Sequence, residues 1–253
     1  MRNIRSSVIP VSICLVIWQF AIYAYSDTEK KEFSTYFNQG IYHHRNGQWD
    51  EAIADLNNAI LINPNSAAAY KGRGDTYRHK GQWNQAIADF NKAIKIDPKD
   101  AETYNNRGNA YQENGQFDKA ISDFNKSISI NPKNADVYFN RGNLYSSIGE
   151  FDKAIRDFNK AVKINPKSPD AYINRGAAYI KKNKLEKAIA DFDAAIKISS
   201  NNSVAYFNKA TVCDAIGQSN IAISAYRKFI SIAPPQNASK IAIAKERIKI
   251  LEQ

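Results

Sequence analysis

Apolar and polar positions along this chain follow a pattern that returns every thirty-four residues, punctuated by Pro64, Pro98, Pro132 and Pro166, with Pro234 after one omission at Ser200. A fixed period of that length signals one supersecondary unit copied along the chain, each copy burying its apolar face against its neighbours. The pattern gives six blocks, 33–66, 67–100, 101–134, 135–168, 169–202 and 203–236; the first residue of each is counted here as position 1. Position 4 is always tyrosine (Tyr36, Tyr70, Tyr104, Tyr138, Tyr172, Tyr206), and position 8 is small (Gly40, Gly74, Gly108, Gly142, Gly176, Ala210). Position 11 holds His43, Tyr77, Tyr111, Tyr145, Tyr179 and Cys213. Spacings of four and three share one helix face, so these columns predict a first helix whose small residue admits a close neighbour.

Position 15 is Gly47, Gly81, Gly115, Gly149, Asn183 and Gly217, residue types that enter the left-handed region and end a helix. A second stripe follows at position 20 (Ala52, Ala86, Ala120, Ala154, Ala188, Ala222) and position 24 (Leu56, Phe90, Phe124, Phe158, Phe192, Tyr226). Position 27 completes it with Ala59, Ala93, Ser127, Ala161, Ala195 and Phe229. This predicts a second helix, stopped near the proline at position 32. Each block is therefore a helical hairpin. A final helix is expected from about Ser239, with Ile241, Ala244, Ile248 and Leu251 on its apolar side.

The run Tyr104-Asn105-Asn106-Arg107-Gly108-Asn109-Ala110-Tyr111, with Ala120, Phe124 and Pro132, resembles the tetratricopeptide repeat, and the likeness recurs six times over about four-fifths of the chain. The resemblance implies an all-α, right-handed superhelical solenoid of antiparallel helix pairs with a C-terminal capping helix. The expected organisation is a leader over 1–26, a short linker over 27–32, six repeats over 33–236 and a cap over 237–253.

Arg2 and Arg5 precede a charge-free apolar run from Val8 to Tyr25, and composition then switches at Asp27-Thr28-Glu29-Lys30-Lys31-Glu32. A basic start followed by an apolar core reads as an export signal or membrane anchor. Ala24-Tyr25-Ser26 favours cleavage before Asp27; the length of the run and its Trp18, Tyr23 and Tyr25 favour an anchor. Either way the repeats are expected outside the cytoplasm, periplasmic, secreted or membrane-anchored.

The net charge of +10 raises the nucleic-acid question. The lysines, however, spread over the second helices and the turns after them (Lys92, Lys95, Lys126, Lys160, Lys163, Lys197), which reads as a solvated coat rather than a stripe. No nucleic-acid partner is expected. Arg73, Arg107, Arg141, Arg175 and Lys209 at position 7 recur with Asp55, Asp89, Asp123, Asp157 and Asp191 at position 23, and are expected to form structural ion pairs.

No phosphate loop, nucleophile elbow or metal motif is present, so no catalysis, cofactor or metal is expected. His44 and His79 come from adjacent first helices but have no acidic partner at an evident ligand spacing. Lone Cys213 reads as a small core residue.

Recognition is better supported. The family resemblance implies that first helices line a concave groove, with positions 2, 5, 6, 9, 12 and 13 facing it. Position 6 carries Asn38, Asn106, Asn140, Asn174 and Asn208, each offering a donor and an acceptor to an extended peptide backbone. This row resembles the asparagine ladder in the repeat domain of the O-linked N-acetylglucosamine transferases; ordinary, idle repeat consensus is an equal alternative. Asn109 and Asn143 at position 9 belong to the same wall. Phe37, Phe139, Ile173 and Phe207 at position 5 are read as apolar residues without a core, awaiting a partner's side chain. Lys71, Arg78, Arg45 and His79 gather near one end, and Asp75, Glu102, Asp136 and Asp170 run along the middle, suggesting a groove graded from basic to acidic. Asp75 and Asp136 occupy two of the positions at which chaperone-binding members clamp a carboxylate, which argues against that subtype. The expected role is a non-catalytic adaptor binding an extended segment or helix of a partner protein; an accessory subunit of an envelope assembly or secretion machine, similar to the pilus-assembly repeat proteins, is the alternative.

Overall fold

The computed structural model describes residues 11–253, with side chains from Ser26 onward. Residues 1–10 and the side chains of 11–25, on which the leader reading rests, lie outside the described residues. Among the described residues no helix is long and apolar enough to cross a membrane. The fold is all-α and divides into two compact units, one ending at Gly115 and one beginning at Gln116.

The first unit holds α1 (Val11–Arg45), α2 (Trp49–Ile62), α3 (Ala67–His79), α4 (Trp83–Ile96) and α5 (Ala101–Glu113). In the second are α6 (Phe117–Ile130), α7 (Ala135–Ser147), α8 (Phe151–Ile164), α9 (Pro169–Lys181), α10 (Leu185–Ile198), α11 (Ser203–Ala215), α12 (Ser219–Ile232) and α13 (Ala238–Leu251). Helices α1 with α2, α3 with α4, α7 with α8, α9 with α10 and α11 with α12 pack as consecutive hairpins. The segment read as a linker, 27–32, is instead continuous helix within α1. Its acids and lysines are good helix formers, and Lys30 reaches back to Asp27 at 3.8 Å.

Two local devices set the hairpins. Asn183 turns at φ 54°, where the other turns use glycine at φ 73–81°. Within each pair, position 8 is where the helices touch: a Cβ on Gly176 would stand 2.7 Å from Phe192 Cε1 and 3.3 Å from the Ala188 carbonyl. The phenylalanine thus packs directly on glycine backbone, and Phe90, Phe158 and Phe192 are fully buried. Helix α10 ends at the same register as the others although Ser200 replaces the proline, so proline is dispensable there. The residue at position 34 starts the next helix instead: Ser66, Asp100, Asn134 and Asn202 each accept a backbone N–H of the following first turn at 3.0–3.2 Å.

The recurrent charges lie inside the stack. Arg141 donates to both oxygens of Asp157 at 2.7 Å, and its third bond reaches Asn125, at position 25 of the preceding repeat. Arg73 and Arg175 repeat the arrangement with Asp89 and Asn57, and with Asp191 and Asn159. The guanidinium also lies over tyrosines of positions 4 and 11, as Arg73 does over Tyr70 and Tyr77. One residue therefore ties its own hairpin and the one before it. Two pairings differ from expectation because the columns break. Lys209 bonds Asp193 of the previous repeat at 2.6 Å, since its own repeat has Ala225 at position 23. Asp55 bonds His43 at 2.7 Å, since its repeat has Gln39 at position 7.

At the far end, α13 closes the second unit. Ala244 is fully buried, and Ile241, Ile248 and Leu251 pack on the cluster of Cys213, Ala222, Tyr226 and Phe229. Arg247 donates to both oxygens of Asp214 at 2.7 Å, and the Tyr226 hydroxyl donates to the same carboxylate at 3.2 Å.

Candidate functional site: the first-helix wall

Each unit presents a wall of first helices, and the sequence-expected residues separate into three groups. The apolar column is corrected. Ile173 is buried with Ala188, Phe192 and Ala195 of its own hairpin. Phe207 lies 4.9 Å from Phe229 and 6.2 Å from Tyr226, Phe139 lies 6.0 Å from Phe158, and Phe37 packs on Ala59, Ile60 and Ala69. Position 5 adjoins position 4 and leans onto the second helix, so Ile173 belongs to the core, while Phe37, Phe139 and Phe207 pack one side on it and stay half-buried.

Asn106, Asn140, Asn174 and Asn208 are half-buried, as are Asn109 and Asn143, while Asn38 is exposed. Asn174 Nδ2 donates to Asn143 Oδ1 at 2.8 Å, linking position 6 of one repeat to position 9 of the one before. The bond uses one N–H of Asn174 and one lone pair of Asn143; the Asn174 carbonyl and the Asn143 amino group are not consumed by it.

The charges of the first unit do not form an open basic end. Lys71 bonds Glu102 at 2.6 Å and Asp100 at 3.1 Å. Burial lowers the Lys71 ammonium's proton affinity, but these carboxylates outweigh it and lift it above the usual lysine value. Arg78 bonds Asp75 at 2.9 Å and Glu113 at 3.2 Å. The gradient read from the sequence is thus neutralised locally, because the spacing from one repeat to the next brings opposite charges into register. Asp136 and Asp170 are different: both are exposed, and among the described residues neither has an ion-pair partner. With Phe139, Ala161, Asn165, Ser168 and Ala171 they line a cavity of about 170 Å³ between the fourth and fifth repeats.

The sequence reading placed His44 and His79 on adjacent first helices but missed their acidic partner, Asp75. His44, from α1, meets Asp75 and His79, from α3, with one donor atom of each within 4.8 Å of the others. Asp75 precedes His79 by four residues, one helical turn, and that spacing was the available signal.

Family models for the tetratricopeptide repeat match residues 101–134, 135–168, 169–202 and 203–236, and a TPR repeat model matches 42–77 and 74–115. The chain belongs to the tetratricopeptide-repeat family. Proteins with this fold are typically non-catalytic interaction scaffolds, and some bind peptides. Among solved structures, MamA is 29% identical with a TM-score of 0.59, the match covering 68% of this chain and 93% of that one. The fold also matches pilF of Pseudomonas aeruginosa (17% identity, TM-score 0.73, 87% and 99% covered). YrrB, a TPR protein with an unusual peptide-binding site, matches at 24% identity and TM-score 0.57, covering 72% of this repeat chain and 95% of its own. No curated protein matches.

Proposed function

We propose that this chain is a six-repeat adaptor that binds an extended segment of a partner protein on the first-helix wall of repeats four and five, without catalysing a reaction. The observation that carries the reading is the cavity lined by Phe139, Asp136 and Asp170, whose two carboxylates have no cationic partner among the described residues, whereas Asp75 and Glu102 of the first unit are neutralised. A lysine or arginine side chain of the partner satisfies it, its alkyl stem against the Phe139 ring and its head between the acids. The amides of Asn143 and Asn174, one helical repeat apart, supply sequence-independent bonds to the partner's backbone.

The lysines of the second helices are exposed and dispersed, which supports a protein rather than a nucleic-acid partner. We place the repeats outside the cytoplasm on the strength of Arg2, Arg5 and the apolar run that follows them.

Selection of the full-length chain against a random peptide library tests the reading. Recovered peptides are expected to share a basic residue, and Asp136→Asn/Asp170→Asn is expected to weaken them about tenfold or more. Peptides with no basic preference, or equal binding by the double variant, would refute it. Cell fractionation with protease protection tests the compartment.

A further inference from the structure

The pairings around His44 and His79 fix which ring nitrogens carry protons. Thr76 Oγ1 donates its one hydrogen to the Gly72 carbonyl at 2.8 Å, so toward His44 Nδ1, 3.0 Å away, it accepts. Nδ1 of His44 therefore bears the proton, and its Nε2 presents a lone pair to Asp75 Oδ2 at 3.4 Å. A guanidinium can only donate, so Arg78 Nη2, 3.0 Å from His79 Nε2, makes that nitrogen an acceptor too. His79 Nε2 lies 4.0 Å from the same Asp75 oxygen. Two imidazole nitrogens and a carboxylate oxygen thus converge; Arg78 donates to His79 Nε2, and the His44 Nε2 lone pair facing Asp75 Oδ2 is the one left with no donor between them.

The geometry points to a site for a divalent first-row transition ion, with His44 Nε2, Asp75 Oδ2 and His79 Nε2 as ligands. Two ligand atoms at about 2.0–2.1 Å on a tetrahedral ion stand about 3.4 Å apart, the His44–Asp75 separation found here. His79 has to close in by roughly 1 Å, which its partly exposed ring, 41% accessible, can do by sliding along Trp49. Trp49 lies parallel to His79 at 8° and meets His44 edge-on, each at 5.3 Å, so one indole positions both rings. Thr76 on His44 Nδ1 is the outer-shell partner that ligating imidazoles ordinarily have. Arg78 holds Asp75 Oδ1 and leaves Oδ2 to the ion. Two nitrogens and one oxygen favour zinc-like ions over magnesium or calcium. Three protein ligands leave a coordination position for water or for a donor on a bound partner. Arg78 also opposes the ion, by its charge and by its bond to His79.

Untagged, chelator-treated full-length chain titrated with Zn2+ by calorimetry, and with Co2+ by visible absorption, tests the site. One equivalent is expected to bind, with cobalt bands of a low-symmetry nitrogen–oxygen site. His79→Gln, at a partly exposed position where the fold tolerates it, is expected to weaken binding at least about tenfold. Arg78→Gln is expected to tighten it. Absence of stoichiometric uptake overturns the proposal, and so does undiminished binding by a His79→Gln variant whose circular dichroism and melting match the parent's in the absence of metal.

Discussion

Arg141→Ala tests whether the recurrent position-7 cation holds neighbouring hairpins together. The side chain is 17% exposed, and its partner Asp157 only 7%. Truncation removes two charge-assisted bonds at 2.7 Å and the bond to Asn125, and leaves the Asp157 carboxylate nearly buried with no counter-charge. Breaking a buried pair from one side costs about 3–5 kcal/mol; the residual access of water to Arg141 sets the lower end, about 3 kcal/mol. Replacing both partners with apolar residues of similar size, Arg141→Met/Asp157→Leu, removes the orphaned charge and is expected to recover all but about 1 kcal/mol. Urea unfolding followed by circular dichroism measures both. Amide exchange in α7 and α8 localises the effect, since arrays of repeats lose cooperativity when one interface weakens. A single variant costing less than about 1 kcal/mol would refute the reasoning. So would a double variant as unstable as the single one. An Arg141→Ala chain of unchanged stability that bound peptides more weakly would move this arginine to the binding wall.

Gly176→Ala forces a methyl group to 2.7 Å from Phe192, against a ring with no exposed side to retreat to, and is expected to cost about 1–3 kcal/mol in thermal or urea melts. Gly176→Ala/Phe192→Leu should restore part of that loss, which a purely conformational effect of glycine would not allow. The end cap is expected to be acid-sensitive. Bonding to Arg247, against an opposing effect of burial, holds Asp214 below the ordinary aspartate value, so the stability it contributes is present above about pH 4 and is lost as pH falls through the depressed folded value. Exchange in α13 should rise over that acid range, and Asp214→Asn should abolish the pH dependence. Asn174→Ala is expected to weaken all selected peptides by a similar factor, whereas Asp136→Asn/Asp170→Asn removes only the basic preference.

The hairpins were legible in the sequence because each repeat solves the same packing problem with the same residues. The Gly176–Phe192 contact and the Asn183 turn follow from short spacings within one block. The Arg–Asp column was legible for the same reason; its Asn partner at position 25 was not, because that bond crosses to the preceding repeat. Ile173 was misread because a helical face has no sharp edge. Position 5 sits beside the buried stripe, and a large side chain there packs on the core, Ile173 fully and Phe139 with one side only. The Lys71–Glu102 and Arg78–Glu113 pairs, thirty-one and thirty-five residues apart, emerge only when one repeat is laid on the next.

In a repeat array, then, recurrence and singularity carry different information. A column present in every copy reports the stacking interface, because every copy must form one. Arg73, Arg141 and Arg175 recur and are all consumed by the stack. By the same logic, part of what the asparagine column does is lateral, as the Asn174–Asn143 bond shows, and its recurrence alone is weak evidence for a guest. Chemistry that stacking does not require stands where the columns break. Among the described residues His44, Asp75 and His79 occur together once, and Asp136 and Asp170 remain uncompensated in one pair of adjacent repeats. Moving the Asp136–Asp170 pair should therefore move the binding preference while leaving the fold unchanged. Ala68→Asp beside native Glu102 would place two acids at position 2 of repeats two and three, but Lys71 already bonds Glu102 there. A basic peptide is expected to gain no affinity from Ala68→Asp alone, and to gain it when Lys71→Met is added. Equal affinity for both variants would show that position 2 does not face the guest.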